Sequence, residues 1–133
     1  MPIFQLTDTL SVAAQITPQE IPHLAAQGFN TIVCNRPDHE APGQATMDDI
    51  EAACNVAGLL FVRYPVSAMN FPGPDLAGLG DLFDDRHHAV LAYCRTGTRC
   101  ANLWIATRPA TEQAEAVQVA RQIGFDLSMV INT

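Results

Sequence analysis

Apolar and polar positions along this chain fall into blocks that alternate between strand-like runs and helix-like periodicity. Ser11-Val12-Ala13 is a short apolar stretch, read as an edge strand. Thr17 has the character of an N-cap with Pro18 at the first helical position, and Gly28 stops the helix they begin. Thr31-Ile32-Val33-Cys34 follows, a β-branched run typical of a buried parallel strand. Thr46-Met47-Asp48-Asp49 resembles a capping box with Asp in place of Glu, opening a helix that ends at Gly58. Leu59-Leu60-Phe61-Val62 is the next strand. Pro65 to Pro74 is a loop, because it holds three prolines and a glycine. Asp75 begins a helix to about Phe83, and Ala89-Val90-Leu91-Ala92-Tyr93 is the last clear strand. A helix starts near Arg99, and Thr111 caps a final one that ends near Gly124.

Strands alternating with helices predict an α/β fold, a parallel sheet flanked by helices on both faces. Ligands of such folds bind beyond the carboxyl ends of the strands. Two polar loops leave the sheet at that edge, Asn35-Arg36-Pro37-Asp38 and Cys94-Arg95-Thr96-Gly97-Thr98-Arg99. The fold argument therefore brings them together. The 133 residues show no internal repeat or linker and are expected to form one domain, 1–133.

Charge narrows the classes of partner. A net charge of -7 argues against nucleic acid and anionic membranes, whose phosphates would repel the chain. All seven basic residues are arginine. Lysine Schiff-base chemistry and the lysine of an NTPase phosphate loop are therefore excluded, whereas arginine forks suit oxyanions. Met1-Pro2-Ile3-Phe4-Gln5 lacks the start of a secretory signal, and no apolar run matches a membrane span. The cysteines, Cys34, Cys54, Cys94 and Cys100, show neither CxxC nor zinc-ribbon spacing. They are read as reduced thiols of a cytoplasmic protein that needs no metal and no cofactor.

The cysteine loop carries the chemistry. A strand delivers Cys94 to a tight turn, Gly97 permits an otherwise strained backbone, and a helix follows at once. Backbone N–H groups and the helix N-terminus would converge on one point, lowering the thiol pKa and stabilising the reactive thiolate. Arg99 and Arg95 would supply charge-assisted contacts to an anionic substrate, with Thr96, Gly97 and Thr98 lining the cradle. Cys94 alone would be read as a small buried hydrophobe; the strand, glycine, arginine and helix around it make it a nucleophile.

These stretches carry a resemblance. Leu10-Ser11-Val12, Gln15-Ile16-Thr17-Pro18, Gly28 to Ile32, Asn35 to Asp38, Tyr64-Pro65-Val66 and Ala92 to Arg99 resemble the beta-lactamase-hydrolase-like, phosphatase-like domain family. That family is also described as a sulfurtransferase family. The similarity covers about the first 110 residues. It implies a fold like the cysteine-dependent tyrosine and dual-specificity phosphatases, and a context in which the domain is joined to sulfur dioxygenase-type enzymes. One departure is Cys100, where related loops usually carry serine or alanine.

Cysteine phosphatases place five residues between nucleophile and arginine, whereas Cys94 and Arg99 enclose four, as in rhodanese loops. A shorter loop makes a smaller cradle, fitted to one sulfane sulfur. The expected function is accordingly sulfur transfer through a Cys94 persulfide, from thiosulfate or a small persulfide to a thiol acceptor. The alternative is hydrolysis of a phosphate ester through a Cys94 phosphocysteine. That reaction calls for a carboxylic acid to protonate the leaving group. The segment Val66 to Asn70 has none; Asp75 reads as an N-cap, and Asp38 is the candidate acid if its loop folds over the site. A third reading is a silent thiol sensor or anion-binding module that has kept the loop.

Arg36 is read either as a substrate anchor or as part of a simple turn. Cys100 is either a helix-packing thiol or a redox partner and sulfur acceptor for Cys94. Cys34 and Cys54 are assigned to core packing. His87 and His88 fall at the far end of the sheet, and no histidine has a partner at metal-ligand spacing.

Overall fold

The computed structural model describes residues 2–131; Met1 and the last two residues, the outermost ends of the expected 1–133 domain, lie outside the described residues. Five strands form one sheet in the order β1-β2-β5-β3-β4. They are β1 (Ile3–Gln5), β2 (Leu10–Ala13), β3 (Thr31–Cys34), β4 (Leu60–Arg63) and β5 (Val90–Tyr93). The helices are α1 (Ile21–Ala26), α2 (Met47–Ala57), α3 (Leu76–Asp84), α4 (Thr98–Ala106) and α5 (Gln113–Ile123), with a 3-10 turn at Pro18–Glu20 leading into α1.

The register sets the site. β2, β5, β3 and β4 run parallel, with Ala13 beside Tyr93 and Tyr93 beside Cys34. Their carboxyl ends therefore lie along one edge. Alternation through the buried strand β5 sends Leu91 and Tyr93 to the face packed by α1 and α2, through Ile21, Leu24 and Ile50. Val90, Ala92 and, one step further, Cys94 take the opposite face with Leu79, Phe83, Leu103 and Trp104. Period two thus places the cysteine on the side of α4. The helix signals are honoured: Thr46 Oγ1 accepts from Asp49 N–H and Gly58 closes α2 in the left-handed region. Asp75 Oδ1 accepts from Gly78 N–H at the start of α3.

Three expectations are corrected. β2 is an interior strand, since Ile3, Phe4 and Gln5 pair with it antiparallel; the sheet is mixed. Three residues of strand are too few to show a period in sequence. The edge on the other side is β4, whose exposed-to-intermediate positions reflect one free flank. Helix α5 has Glu112 and not Thr111 at its N-cap, without a side-chain capping bond.

Candidate active site

The strand β5 ends at Tyr93, and the residues after it turn back on themselves before α4 begins. Gly97 occupies the N-cap of α4 at φ 90, a left-handed conformation that glycine adopts without strain. This fold of the backbone aims N–H groups at the sulfur: Gly97 N–H donates to Cys94 Sγ at 3.1 Å, and those of Thr96 and Cys100 point to the same atom. The expected convergence is thus present. Cys94 is 1% exposed, and its thiol pKa is pulled down to about 6. The hydrogen bond from the Cys100 thiol is the largest cause, working against burial, and the three backbone donors add to it. Cys100, fully buried beneath the loop, is shifted the other way, first by burial and then by that same bond.

Arg99 extends from the first turn of α4 across the site. Its Nη1 donates to Glu40 Oε2 at 3.0 Å and to the Val66 carbonyl at 2.8 Å, and its Nη2 donates to Glu40 Oε1 at 3.1 Å. A guanidinium has five N–H donors. Those that remain, one on Nη2 and the one on Nε, lie side by side on one edge. That edge is a fork for an oxyanion.

Glu40, which sequence reading missed, holds this arrangement together. Its Oε1 also accepts from Arg36 Nε at 2.9 Å. Burial would raise its pKa, but the hydrogen bonds and charges of Arg99 and Arg36 outweigh it and hold the carboxyl below its usual range. His39, immediately before it, sits at φ 66, which swings Glu40 back toward the sheet edge. A left-handed histidine carries no sequence signal, and an Asp-His-Glu run reads as ordinary loop.

The two polar loops meet as expected, but their residues divide the work differently. Arg36 is 4% exposed and spends its guanidinium on Glu40 and on Gln15 Oε1 at 3.0 Å, behind the site. Asp38 Oδ1 accepts from Met47 N–H at 2.9 Å, at the start of α2. Asn35, fully buried, donates to the Tyr64 carbonyl, while its own carbonyl accepts from Val66 N–H. This pins the chain beyond β4 where Val66 can receive Arg99. Arg95 and Thr96 are exposed on the rim, and Thr96 Oγ1 donates to Thr98 Oγ1 at 2.9 Å. Cys34 donates to the Arg36 carbonyl at 3.1 Å, and burial pushes its pKa up; Cys54, wholly buried, is pushed up to about 11 by burial.

Comparison with known proteins gives the family and the fold. The family described as the phosphatase-like domain of beta-lactamase hydrolase-like protein matches residues 3–116. The Beta-lactamase hydrolase-like protein of Agrobacterium fabrum is 28% identical over 130 residues, which are 96% of this chain and 30% of that protein. The chain thus spans less than a third of that curated relative. A provisionally assigned phosphatase from Neisseria meningitidis superposes with a TM-score of 0.72 at 34% identity, covering 91% of this chain and 89% of that one. The P. aeruginosa protein TpbA, solved in complex with pTyr, gives 0.67 at 16% identity, covering 96% and 76%. The last likeness is one of fold: a mixed sheet flanked by helices, as in protein tyrosine phosphatases.

Proposed function

Because this chain belongs to the phosphatase-like domain family of beta-lactamase hydrolase-like proteins, we propose that it hydrolyses phosphate monoesters through Cys94. The observation that carries the proposal is the cysteine loop itself, with a backbone N–H aimed at the sulfur and an arginine held at its end. Cys94 Sγ accepts from the Gly97 N–H of a loop that ends in Arg99, whose Nε–Nη2 edge is left open by its bonds to Glu40 and Val66. In the first step the thiolate attacks phosphorus and the bond to the leaving oxygen breaks. Arg99 and the loop N–H groups take up charge on the phosphoryl oxygens. In the second, water attacks the phosphocysteine, releasing phosphate and restoring the thiolate. Arg95, exposed at the rim, contacts the remainder of the substrate, and Arg36 acts through Glu40 rather than on the substrate.

The leaving group sets the substrate class. Three carboxylates that could serve as the acid are engaged: Asp38 by Met47 N–H, Asp75 by Gly78 N–H, and Glu40 by two arginines. An ester whose oxygen departs as a stabilised anion needs least from an acid. Aryl phosphates fit that requirement, and the pTyr complex of TpbA supports the same class. Steady-state hydrolysis of an aryl phosphate, lost in Cys94→Ser and at least tenfold weaker for an alkyl phosphate, is the expected result. Equal turnover of both esters would require an acid that this reading does not assign.

Sulfur transfer is the second reading, supported by the four residues between Cys94 and Arg99. There the thiolate attacks the outer sulfur of thiosulfate, sulfite leaves, and a thiol acceptor takes the sulfur from the Cys94 persulfide. The greater length of the curated relative leaves room for a sulfur dioxygenase-type partner in this reading.

A further inference from the structure

The free flank of β4 carries backbone groups that the rest of the fold does not use. Leu60 N–H donates to the Asn30 carbonyl and Tyr64 N–H to the Cys34 carbonyl, so Leu60, Val62 and Tyr64 turn their backbone groups toward β3. The N–H and C=O groups of Phe61 and Arg63 therefore point the other way, to the flank where no described strand lies. Pro65 has no N–H, and its carbonyl accepts from Asn70 Nδ2, so the open stretch ends after Arg63. The side chains of the strand divide between two faces. Phe61 and Arg63 take the side of α2, where Arg63 lies over the Phe61 ring at 5.8 Å and donates to Asp48 and Glu51. Leu60 and Val62 take the other side, where a groove between β4 and α3 is lined by Val62, Tyr64, Pro74, Leu79 and Leu82. Leu60 is 50% exposed, a large apolar side chain left in water.

We propose that β4 is the docking edge for a second copy of this chain, paired antiparallel about a two-fold axis at Val62, so that two sheets become one. The open groups fix the register. In an antiparallel ladder, residues whose N–H and C=O face the partner strand exchange two hydrogen bonds. Phe61 against Phe61 of the partner copy would set Arg63 against Leu59, whose N–H is already given to the Cys54 carbonyl. Arg63 against Arg63 would set Phe61 against Pro65, which has no N–H to give. Phe61 against Arg63 satisfies both open residues of both copies, and it places Val62 opposite Val62 and Leu60 opposite Tyr64.

That register is self-complementary in shape and in charge, as an isologous contact requires. On the α3 side, each Leu60 leaves water for the groove that Tyr64 and Leu79 line in the other copy. On the α2 side, each Arg63 comes opposite the Phe61 ring of the other copy, a cation against an aromatic face. Asp48 is 86% exposed and gives one oxygen to its own Arg63, which leaves the second for the Arg63 arriving across the axis. Two arginines thus stand among the Asp48 and Glu51 carboxylates of both copies, which counters the repulsion between chains that each carry -7. The two-fold also turns the carboxyl ends of the two sets of strands in opposite directions, so neither cysteine loop is covered. The pairing is independent of which group Cys94 transfers.

The test is sedimentation equilibrium of the full chain across a concentration series, where wild type is expected to reach twice the mass of one chain. Leu60→Lys is expected to sediment as a single chain with an unchanged far-UV circular dichroism spectrum, because this side chain is already half in water before pairing. Val62→Cys reads the register. Facing residues of a non-hydrogen-bonded pair lie about 4.5 Å apart at Cα, so mild oxidation is expected to link two copies of this variant into a dimer that dithiothreitol separates. Leu60→Cys, opposite Tyr64, is expected to give no such link. A wild-type chain that stays single throughout, its edge left to an extended segment of some other protein, would overturn the proposal. A dimer that survives Leu60→Lys would do the same, as would one that links through Leu60→Cys and not through Val62→Cys.

Discussion

Glu40 and Arg99 meet end to end, the two carboxylate oxygens against Nη1 and Nη2 at 3.0 and 3.1 Å, so that the Nε edge of the guanidinium is left open. The pair sits at the junction of two loops far apart in sequence, and its geometry depends on both. Arg36 holds the carboxylate from behind, and Val66, pinned through Asn35, takes the remaining Nη1 proton.

Glu40→Gln should therefore act on the reaction more than on the fold. The Glu40 side chain is 27% exposed, so screening limits what the ion pairs add to stability. Loss of the bidentate contact frees Arg99 to rotate, and kcat/KM for an aryl phosphate is expected to fall by roughly 10- to 100-fold. The urea midpoint is expected to move little. An unchanged kcat/KM would show that Arg99 is positioned by Val66 alone.

The Cys94 thiolate sets the pH dependence. Its folded pKa, about 6, lies below the ordinary thiol value of 9.0, chiefly through the Cys100 bond. The sign follows from linkage: stabilisation of the thiolate is fully present above pH 9 and is lost as pH falls through 6. Alkylation by iodoacetamide should rise to a plateau with a midpoint near 6 in the native protein. Cys100→Ala removes the leading cause and should move that midpoint upward. A midpoint unmoved by Cys100→Ala would assign the depression to the backbone donors.

Gly97→Ala tests the turn itself. At φ 90 an alanine is strained, and its Cβ would lie 3.3 Å from Phe125 Cε1. A cost of about 1–2 kcal/mol in stability is expected. A larger proportional loss of activity is expected with it, since the Gly97 N–H would no longer point at Cys94. Phosphate titration would show weakened anion binding in the same variant.

Asn102 links the site to the chain beyond the family match. Fully buried, its Nδ2 donates to the Thr98 and Asp126 carbonyls and its Oδ1 accepts from Val130 N–H. Truncation to Ala removes these buried bonds, at about 1–3 kcal/mol. A drop in the urea midpoint of that size, with kcat reduced through the loosened first turn of α4, is expected.

What the sequence reveals and what it hides divide along physical lines. Strands β3 and β5 and the helices capped by Thr46 and Asp75 follow from β-branched runs and from local hydrogen-bond chemistry, and local chemistry is legible in sequence. The cysteine loop is legible for the same reason: strand, glycine and helix in succession leave few conformations. β1 is hidden because a strand of three residues is defined by its partner. Glu40 is hidden because its role depends on Arg99, 59 positions away, and on a left-handed His39. Arg36 shows the converse: read as a substrate anchor or part of a turn, it is buried, with its guanidinium taken up by Glu40 and Gln15.

The most direct test of the central claim is the mass of the covalent intermediate on Cys94. The protein is mixed with an aryl phosphate and quenched in acid within milliseconds, and in parallel with thiosulfate. A gain of about 80 Da at Cys94 is expected with the phosphate ester, absent in Cys94→Ser. A protein that remains unmodified by the ester but gains about 32 Da from thiosulfate would contradict it and establish sulfur transfer in its place.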